Sequence, residues 1–156
     1  MDINKNKLVL RPCRNEDAKL LFEWVNEPLV RSNSMDTKNI LWENHLAWFD
    51  KKIKSVDSYI FILEEKQPVG QIRFDFSDST QSYLIDFSID KRFRGQSLGK
   101  HIIEMGINAV TKIRNKELKF SAFVKSSNLA SLNSFLKNNF YISDEKDGYI
   151  FLNLNR

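Results

Sequence analysis

The chain has 156 residues, of which 24 are Lys or Arg and 20 are Asp or Glu, so its net charge is +4. A chain of this length fits one domain that buries about two-thirds of its unfolded surface, so neither a metal nor a disulfide is needed for stability. The single cysteine, Cys13, cannot form an internal disulfide, and the only histidines are His45 and His101. We therefore predict no metal site of the usual zinc-ligand types.

The longest aliphatic or aromatic run, Tyr59 to Leu63, is far shorter than the roughly 20 residues that span a bilayer. Residues 1–7 lack the apolar core of a leader segment. We expect a cytoplasmic protein that does not bind membranes. Its positive charges are spread along the chain and do not form a helical stripe, so nucleic acid is not expected as a partner.

Alternating and helical spacings predict a mixed order of elements. Leu8–Leu10 predicts a short first strand that ends at Pro12, and Asn15 predicts the N-cap of a helix that Pro28 stops. The later predicted elements are a helix over 40–53, strands over 59–63, 69–76 and 83–89, a helix from about 98 to 113, a strand over 118–124, a helix over 128–138 and a hairpin over 141–154. This order predicts an α+β fold, as one domain over residues 1–156, with a single mixed sheet.

The stretch Arg92–Lys100 joins a predicted strand to a predicted helix. A helix that begins near Leu98 aims unpaired backbone N–H groups and the positive end of its dipole at this loop. Arg92, Arg94 and Lys100 add positive charge there. We infer an anionic ligand, most simply a pyrophosphate.

This strand order, with a basic glycine-containing loop after the fourth strand, resembles the GNAT superfamily of acyl-coenzyme A dependent N-acetyltransferases. The family's loop pattern falls on Arg94, Ser97 and Gly99, with Gly95 as the customary extra glycine. Ser97 replaces a glycine, which costs about 1–2 kcal/mol if the position needs positive φ and little otherwise. The resemblance implies a mostly antiparallel sheet with helices on both faces, and acetyl-coenzyme A as the cosubstrate.

The same resemblance implies how the coenzyme is held. Backbone edges at the end of the fourth strand would pair with the pantetheine amides, and N–H groups of the loop would hold the pyrophosphate. Asn128 would support the pantetheine arm, although an N-cap role alone explains its presence. The coenzyme-binding residues expected on this basis are Phe87, Ser88, Ile89, Arg94, Gly95, Gln96, Ser97, Leu98, Gly99, Lys100, Asn128 and Phe135.

In the family, the position of Phe135 is often a tyrosine that protonates the departing thiolate, so the usual general acid is missing here. A positioned acid contributes about 10²–10⁴-fold, whereas holding the reactants in attack geometry supplies roughly 7–11 kcal/mol. The replacement should therefore slow the enzyme without disqualifying it. Water, Ser134 or Tyr141 could supply the proton instead.

Asp86 is the first candidate for the catalytic base, because it is the acidic residue on the strand that leads to the loop. A salt bridge or a solvent-facing carboxylate is the alternative, and Glu104, Asp75 and Glu43 are weaker rivals. The backbone N–H of Ile89 would polarise the thioester carbonyl.

Other segments resemble the GNAT enzymes and fused domains of pseudaminic-acid biosynthesis, which acetylate the 4-amino group of a UDP-linked amino-deoxy sugar. These segments are 10–12, 22–28, 30–34, 45–49 and 70–75. Within them, Arg31 and Arg73 offer cations for a nucleotide diphosphate, and Trp48 offers a plane for uracil or a sugar. His45 lies three residues before Trp48 and could bond a phosphate, although a position on the helix surface explains it equally well. Core packing accounts for the helical spacing of Trp48.

The expected partner is therefore a small-molecule amine, most simply a nucleotide-linked sugar, and a homodimer is a further option. An N-terminal protein acetyltransferase, a non-catalytic coenzyme-binding module and a basic surface binder stay open as alternatives.

Overall fold

The computed structural model describes residues 2–155. Its strands are β1 (Val9–Pro12), β2 (Ser58–Glu65), β3 (Gln67–Ser77), β4 (Ser82–Ile89), β5 (Lys119–Lys125), β6 (Tyr141–Lys146) and β7 (Tyr149–Asn155). Its helices are α1 (Ala18–Val25), α2 (Pro28–Ser32), α3 (Trp42–Ile53), α4 (Leu98–Arg114) and α5 (Leu129–Leu136). Within the described residues, the seven strands form one sheet in the order β1-β2-β3-β4-β5-β7-β6.

Apolar side chains of alternate residues bury both faces of this sheet. On one face, Ile60 and Ile62 of β2 pack in a buried cluster with Trp24 of α1 and Phe49 of α3. On the other face, the larger cluster joins the buried side of α4 to β3, β4, β5 and β7. The predicted α+β fold, with one mostly antiparallel sheet and helices on both faces, is confirmed.

The parallel pair β4–β5 is the irregularity that shapes the molecule. Its register joins only Tyr83 to Phe120 and Leu84 to Ser121, whereas the other neighbouring strands pair antiparallel along most of their length. Beyond Leu84, the described residues of β4 have no partner strand on this side. The sheet therefore opens between the two strands.

The outermost strand β6 contrasts with the buried centre of the sheet. All of its residues are exposed, and its pairing with β7 shifts register between Ile142 and Asp144. The opposite edge strand, β1, has only four residues.

The helix α2 was not predicted from the sequence. Pro28 does not simply end the preceding helix: α1 already ends at Val25, and Pro28 occupies the first position of α2, where its missing N–H and fixed φ are tolerated. The side chain of Glu27 caps this helix by accepting a hydrogen bond from the N–H of Val30. Its residues thus form a separate short element before α3.

Among residues 2–155, no helix combines the length and apolarity that crossing a membrane requires. The same residues contain no cluster of three or more His, Cys, Asp or Glu side chains arranged to hold a metal ion.

Ser97 adopts the left-handed conformation, with φ of 61° and ψ of 23°, so the position does need positive φ. We predict that Ser97→Gly raises the free energy of unfolding by about 1 kcal/mol, because relief of this strain exceeds the extra entropy that glycine loses on folding. Thermal denaturation without ligand should show a midpoint about 2–4 °C higher. The matched variant Gly95→Ser, at φ of 81°, should lower the midpoint, and an equal response of both variants would contradict the prediction.

Candidate active site

A cleft of about 410 Å³ occupies the opening between β4 and β5. Its walls are the end of β4, the loop that follows, the first turn of α4, and parts of α2, β5 and α5. The predicted coenzyme-binding residues that line it are Phe87, Ser88, Ile89, Arg94, Gly95, Ser97, Leu98, Gly99, Lys100, Asn128 and Phe135. Gln96 does not line this cleft, and its side-chain oxygen accepts a hydrogen bond of 2.7 Å from the N–H of Ile3.

The exposed edge of β4 presents backbone amides to the cleft. The N–H of Asp90 donates to the carbonyl of Val69 at 2.9 Å, and the register pairs Gly70 with Ile89. Hydrogen-bonded and non-hydrogen-bonded pairs alternate along an antiparallel ladder, so the amides of Phe87 and Ile89 point away from β3. They face the side on which β5 has parted, where a ligand with its own amide groups can pair with them.

The first turn of α4 supplies a second set of donors. Ser97 precedes the helix and makes no side-chain cap bond, so the leading N–H groups of α4 stay available in the cleft wall. A side chain at Gly99 would collide with Ser134 and would lie 3.3 Å from Phe87, so glycine lets α5 approach this turn closely. An anion is the ligand that such a turn binds best.

Arg94 is bound to protein groups on two sides. Its Nε donates to the carbonyl of Ile89 at 3.0 Å, and its Nη2 forms an ion pair of 2.8 Å with Glu27. The hydrogen bond from Arg94 lowers the pKa of the Glu27 carboxyl, outweighing a smaller opposing effect of burial. The side chain thus organises the loop itself. Lys100 and Lys137 are further cations in the cleft wall.

Phe135 on α5 and Asn128, the N-cap residue just before this helix, both lie in the cleft wall. The side-chain oxygen of Asn128 accepts the N–H of Ser131 at 3.3 Å, so its predicted capping role is confirmed. Phe135 is only 2% exposed and packs edge-on against Phe87, with ring centroids 5.6 Å apart. Since phenylalanine carries no proton to donate, another group must protonate a leaving thiolate.

Of the two alternative acids, Ser134 lines the cleft, although its hydroxyl donates to the carbonyl of Ala130 at 2.8 Å. Tyr141 lies on β6 with 53% of its surface exposed and lines neither this cleft nor the pocket beside it. Ser134 and water therefore stay as candidates.

Asp86 stands where the cleft meets a smaller pocket of about 180 Å³. Its side chain is 58% exposed and its Oδ2 lies 3.2 Å from Nε2 of Gln71 and 3.7 Å from the guanidinium of Arg73. Asp86 thus lines both cavities and has an exposed side chain. Of its rivals, Asp75 lines only the smaller pocket, while Glu43 and Glu104 line neither.

Arg73 is the predicted acceptor-binding residue that lines the smaller pocket. It bonds Asp75 through Nε at 2.7 Å, and its guanidinium carbon lies 5.1 Å from the ring centroid of Trp48. Burial alone would raise the pKa of Asp75, but the charge of Arg73 and the hydrogen bond from Lys52 lower it below its ordinary value. Arg73 thus stacks on Trp48, and Trp48 itself lines neither cavity.

Arg31 and His45 line neither cavity. The buried guanidinium of Arg31 donates to three main-chain carbonyls within the segment 25–38. His45 is 3% exposed, its Nε2 lies 2.8 Å from the carbonyl of Ala18, and burial lowers its pKa. These contacts correct the predicted substrate-binding role: both side chains hold the α1–α3 layer together.

Sequence reasoning missed residues that complete the smaller pocket from distant parts of the chain. Phe123 of β5 and Tyr149 of β7 line it, as do the residues that follow α2, namely Asn33, Ser34 and Met35. Their places depend on the strand order β4-β5-β7. Two signals were available: the predicted turn at Asp147-Gly148, which puts Tyr149 at the start of the last strand, and the segment 30–34, which contains Asn33 and Ser34.

The sequence matches the family described as "Acetyltransferase (GNAT) domain" over residues 7–140. It is 25% identical over 134 residues to the uncharacterized protein MJ1062 of Methanocaldococcus jannaschii, covering 83% of this chain and 27% of that protein. The chain therefore spans about a quarter of the length of this curated relative.

Solved structures share the fold. Spermidine N-acetyltransferase of Vibrio cholerae, in complex with CoA and spermine, superposes with a TM-score of 0.84 at 14% identity, covering 97% of this chain and 96% of that one. The N-acetyltransferase PseH of Campylobacter jejuni, in complex with acetyl coenzyme A, gives a TM-score of 0.72 at 21% identity, covering 96% and 99%.

Asp90, the residue directly after β4, holds the end of this strand in place through hydrogen bonds. Its buried carboxylate accepts hydrogen bonds of 2.9 Å from Nε1 of Trp24 and from the N–H of Arg92. Burial would raise the pKa of Asp90, but the hydrogen bonds from Arg92 and Trp24 dominate and lower it to about 2. The strand end is thereby tied to α1 next to the Ile89 amide.

We predict that Asp90→Asn lowers the free energy of unfolding by about 2 kcal/mol at pH 7, the equivalent of the lowered pKa. A lowered folded-state pKa stabilises the protein above the ordinary Asp pKa of about 4 and loses this effect as pH falls toward 2. Urea unfolding at several pH values should show the difference between variant and wild type narrowing over this interval. A difference that is constant with pH would contradict the assignment.

Proposed function

Because this chain belongs to the GNAT family of acetyl-coenzyme A dependent N-acetyltransferases, we propose that it acetylates the 4-amino group of a UDP-linked amino-deoxy sugar. The observation that carries the proposal is the position of Asp86, which is open both to the cleft and to the polar pocket beside it. The reaction is a direct transfer in a ternary complex, since a base that borders both cavities can serve an amine next to the thioester.

The cleft residues provide the coenzyme site in this proposal. The leading N–H groups of α4 bind the pyrophosphate, and Lys100 adds positive charge. The outward amides of Phe87 and Ile89 pair with the pantetheine chain and the acyl carbonyl, and Asn128 borders the same arm. These assignments use the groups that the parted strands leave without protein partners.

The chemistry then needs one proton acceptor, one electrophile activator and one proton donor. Asp86 takes a proton from the substrate ammonium, directly or through water, and the free amine attacks the thioester carbon. The N–H of Ile89 stabilises the negative charge that develops on the carbonyl oxygen. As the carbon–sulfur bond breaks, the attacking nitrogen loses its second proton, which reaches the departing thiolate through water or Ser134; an ordinary thiol pKa of about 8.5 makes the thiolate a good leaving group.

The acceptor assignment is supported by where the pocket residues come from. Two of the segments that resemble the nucleotide-sugar enzymes supply its walls: 30–34 contributes Asn33 and Ser34, and 70–75 contributes Arg73 and Asp75. Arg73 provides a guanidinium for the diphosphate, and Phe123 and Tyr149, which line the same pocket, offer aromatic rings. An amino sugar that carries a diphosphate matches this combination of cation, ring and carboxylate.

A single acyltransferase domain over residues 1–156, a cytoplasmic location and a homodimer stay predictions from the sequence. The acyl length is open as well.

The acceptor can be tested by following thiol release from acetyl-coenzyme A with a panel of UDP-4-amino sugars, spermidine and N-terminal peptides. We expect kcat/KM for the best sugar to exceed that for the other amines at least about tenfold, since one well-made set of polar contacts is worth that much. Activity confined to peptides or polyamines would overturn the sugar assignment. Coenzyme binding detected by calorimetry without turnover of any amine would indicate a non-catalytic module.

Asp86→Asn tests the base. We predict that kcat falls about 10²-fold or more, because the amide cannot accept the ammonium proton, while coenzyme affinity by calorimetry changes less than about twofold. The exposed Asp78, in the turn after β3, provides the control variant Asp78→Asn, which should retain wild-type rates. If Asp86→Asn keeps kcat within threefold of wild type, Asp86 is not the base.

A further inference from the structure

The short helix α2, together with the residues that follow it, forms a wall of both cavities. Leu29 and Val30 of α2 line the cleft. Asn33 and Ser34, which directly follow α2, line both the cleft and the smaller pocket. The position of α2 therefore decides where coenzyme and acceptor lie relative to each other.

One side of α2 is tied to the end of β4. Glu27, which caps α2, forms the 2.8 Å ion pair with Arg94, and Arg94 in turn donates to the carbonyl of Ile89. The same Glu27 oxygen accepts the N–H of Val30 at 3.3 Å. This chain of contacts runs from the N-terminus of α2 to the residue whose amide faces the thioester.

The other side of α2 is tied to β5. The ammonium of Lys125, at the end of that strand, donates to the carbonyl of Ser32 at 2.7 Å. Ser32 is the last residue of α2. The helix is thus joined at its beginning to β4 and at its end to β5, which are the two strands that part to form the cleft.

The segment between these two ties is internally braced. The guanidinium of Arg31 is buried within it and holds the carbonyls of Val25, Asp36 and Lys38. Since this bracing lies inside the segment, the ties at Glu27 and Lys125 are the charged contacts that place it relative to the sheet.

We propose that Glu27 and Lys125 are positioning residues that hold α2 across the opening between β4 and β5. The proposal rests on the catalytic function proposed above for this site. One partly exposed ion pair and one hydrogen bond each contribute little to stability, so the loss of either tie should leave the fold intact. A displacement of about 1 Å near the reacting groups, by contrast, can cost up to 10²-fold in rate.

Two variants test the ties, and a third serves as the control. Glu27→Gln keeps an oxygen for the N–H of Val30 but loses the charge that pairs with Arg94, and Lys125→Met keeps the stem but loses the donor. The control, Glu64→Gln, weakens an ion pair of similar length, the 2.7 Å contact with Arg11, away from both cavities. All three should unfold within a few degrees of wild type.

We expect Glu27→Gln and Lys125→Met to lower kcat/KM for the amine about tenfold, within the range that small misplacements produce, while Glu64→Gln stays at the wild-type value. Amide hydrogen exchange across residues 28–34 should be faster in the two tie variants and unchanged in the control. Unchanged exchange in this segment, or equal kinetic losses in the control, would overturn the proposal.

The exchange measurement needs no acceptor, so it separates this proposal from the assignment of the sugar. Faster exchange in residues 28–34 would support the ties even if another amine proves to be the substrate, and the kinetic comparison would then use that amine. Turnover of the sugar by all variants at equal rates would overturn the ties while leaving the acceptor assignment in place.

Discussion

The structure depends on the parting of β4 and β5 after a single short stretch of parallel pairing. Unsatisfied backbone donors are expensive in a shielded environment, at about 1–3 kcal/mol each, and the outward amides of Phe87 and Ile89 have lost a neighbouring strand. A ligand with amide groups of its own repays that cost. The unpaired edge of β4 is thereby free to bind a ligand. The first turn of α4 lies at one end of this edge, and the smaller pocket lies at the other.

Keeping an unpaired strand end in place requires ties from other elements. Asp90 is held by Trp24 of α1, and the carbonyl of Ile89 is held by Arg94. The arginines of the basic loop therefore act largely within the protein: Arg92 pairs with Asp90, and Arg94 with Glu27. Main-chain N–H groups, together with Lys100, are left for the anion. This division explains why counting charges along the loop overstates the number of side chains available to a phosphate.

The sequence predicted those features that local patterns determine. Period-two alternation located the central strands, the basic glycine-containing loop located the start of α4, and Asn128 was identified as a cap. The roles of Arg31 and His45 were misjudged, because a cation or an imidazole on a helix looks the same in sequence whether it faces a ligand or a carbonyl of its own chain. The helix α2 was missed because Pro28 was interpreted as the end of a helix, whereas it begins one. The packing of the folded chain distinguishes the two cases, and it places the imidazole of His45 against the carbonyl of Ala18.

The smaller pocket was the least predictable part of the candidate site, because its walls meet through long-range topology. Tyr149 and Phe123 line the same pocket as Asp86 because the strand order is β4-β5-β7, in which the last strand inserts next to β5 ahead of β6. No local spacing encodes that arrangement. By contrast, Arg73 and Asp86 are register partners on neighbouring strands, so a correct hairpin register would bring them together from sequence alone.

The insertion of β7 leaves β6 as the outermost strand, with a row of main-chain groups open to solvent and apolar side chains at Tyr141 and Ile142. An exposed edge strand of this kind can pair with a strand of another molecule. Two features make pairing with another chain unfavourable here: the three successive charged residues Asp144 to Lys146, and the register shift between Ile142 and Asp144. The same sheet thus leaves main-chain groups available to a ligand at the β4–β5 opening, while its β6 edge is protected against the strand-by-strand association that leads to fibrils.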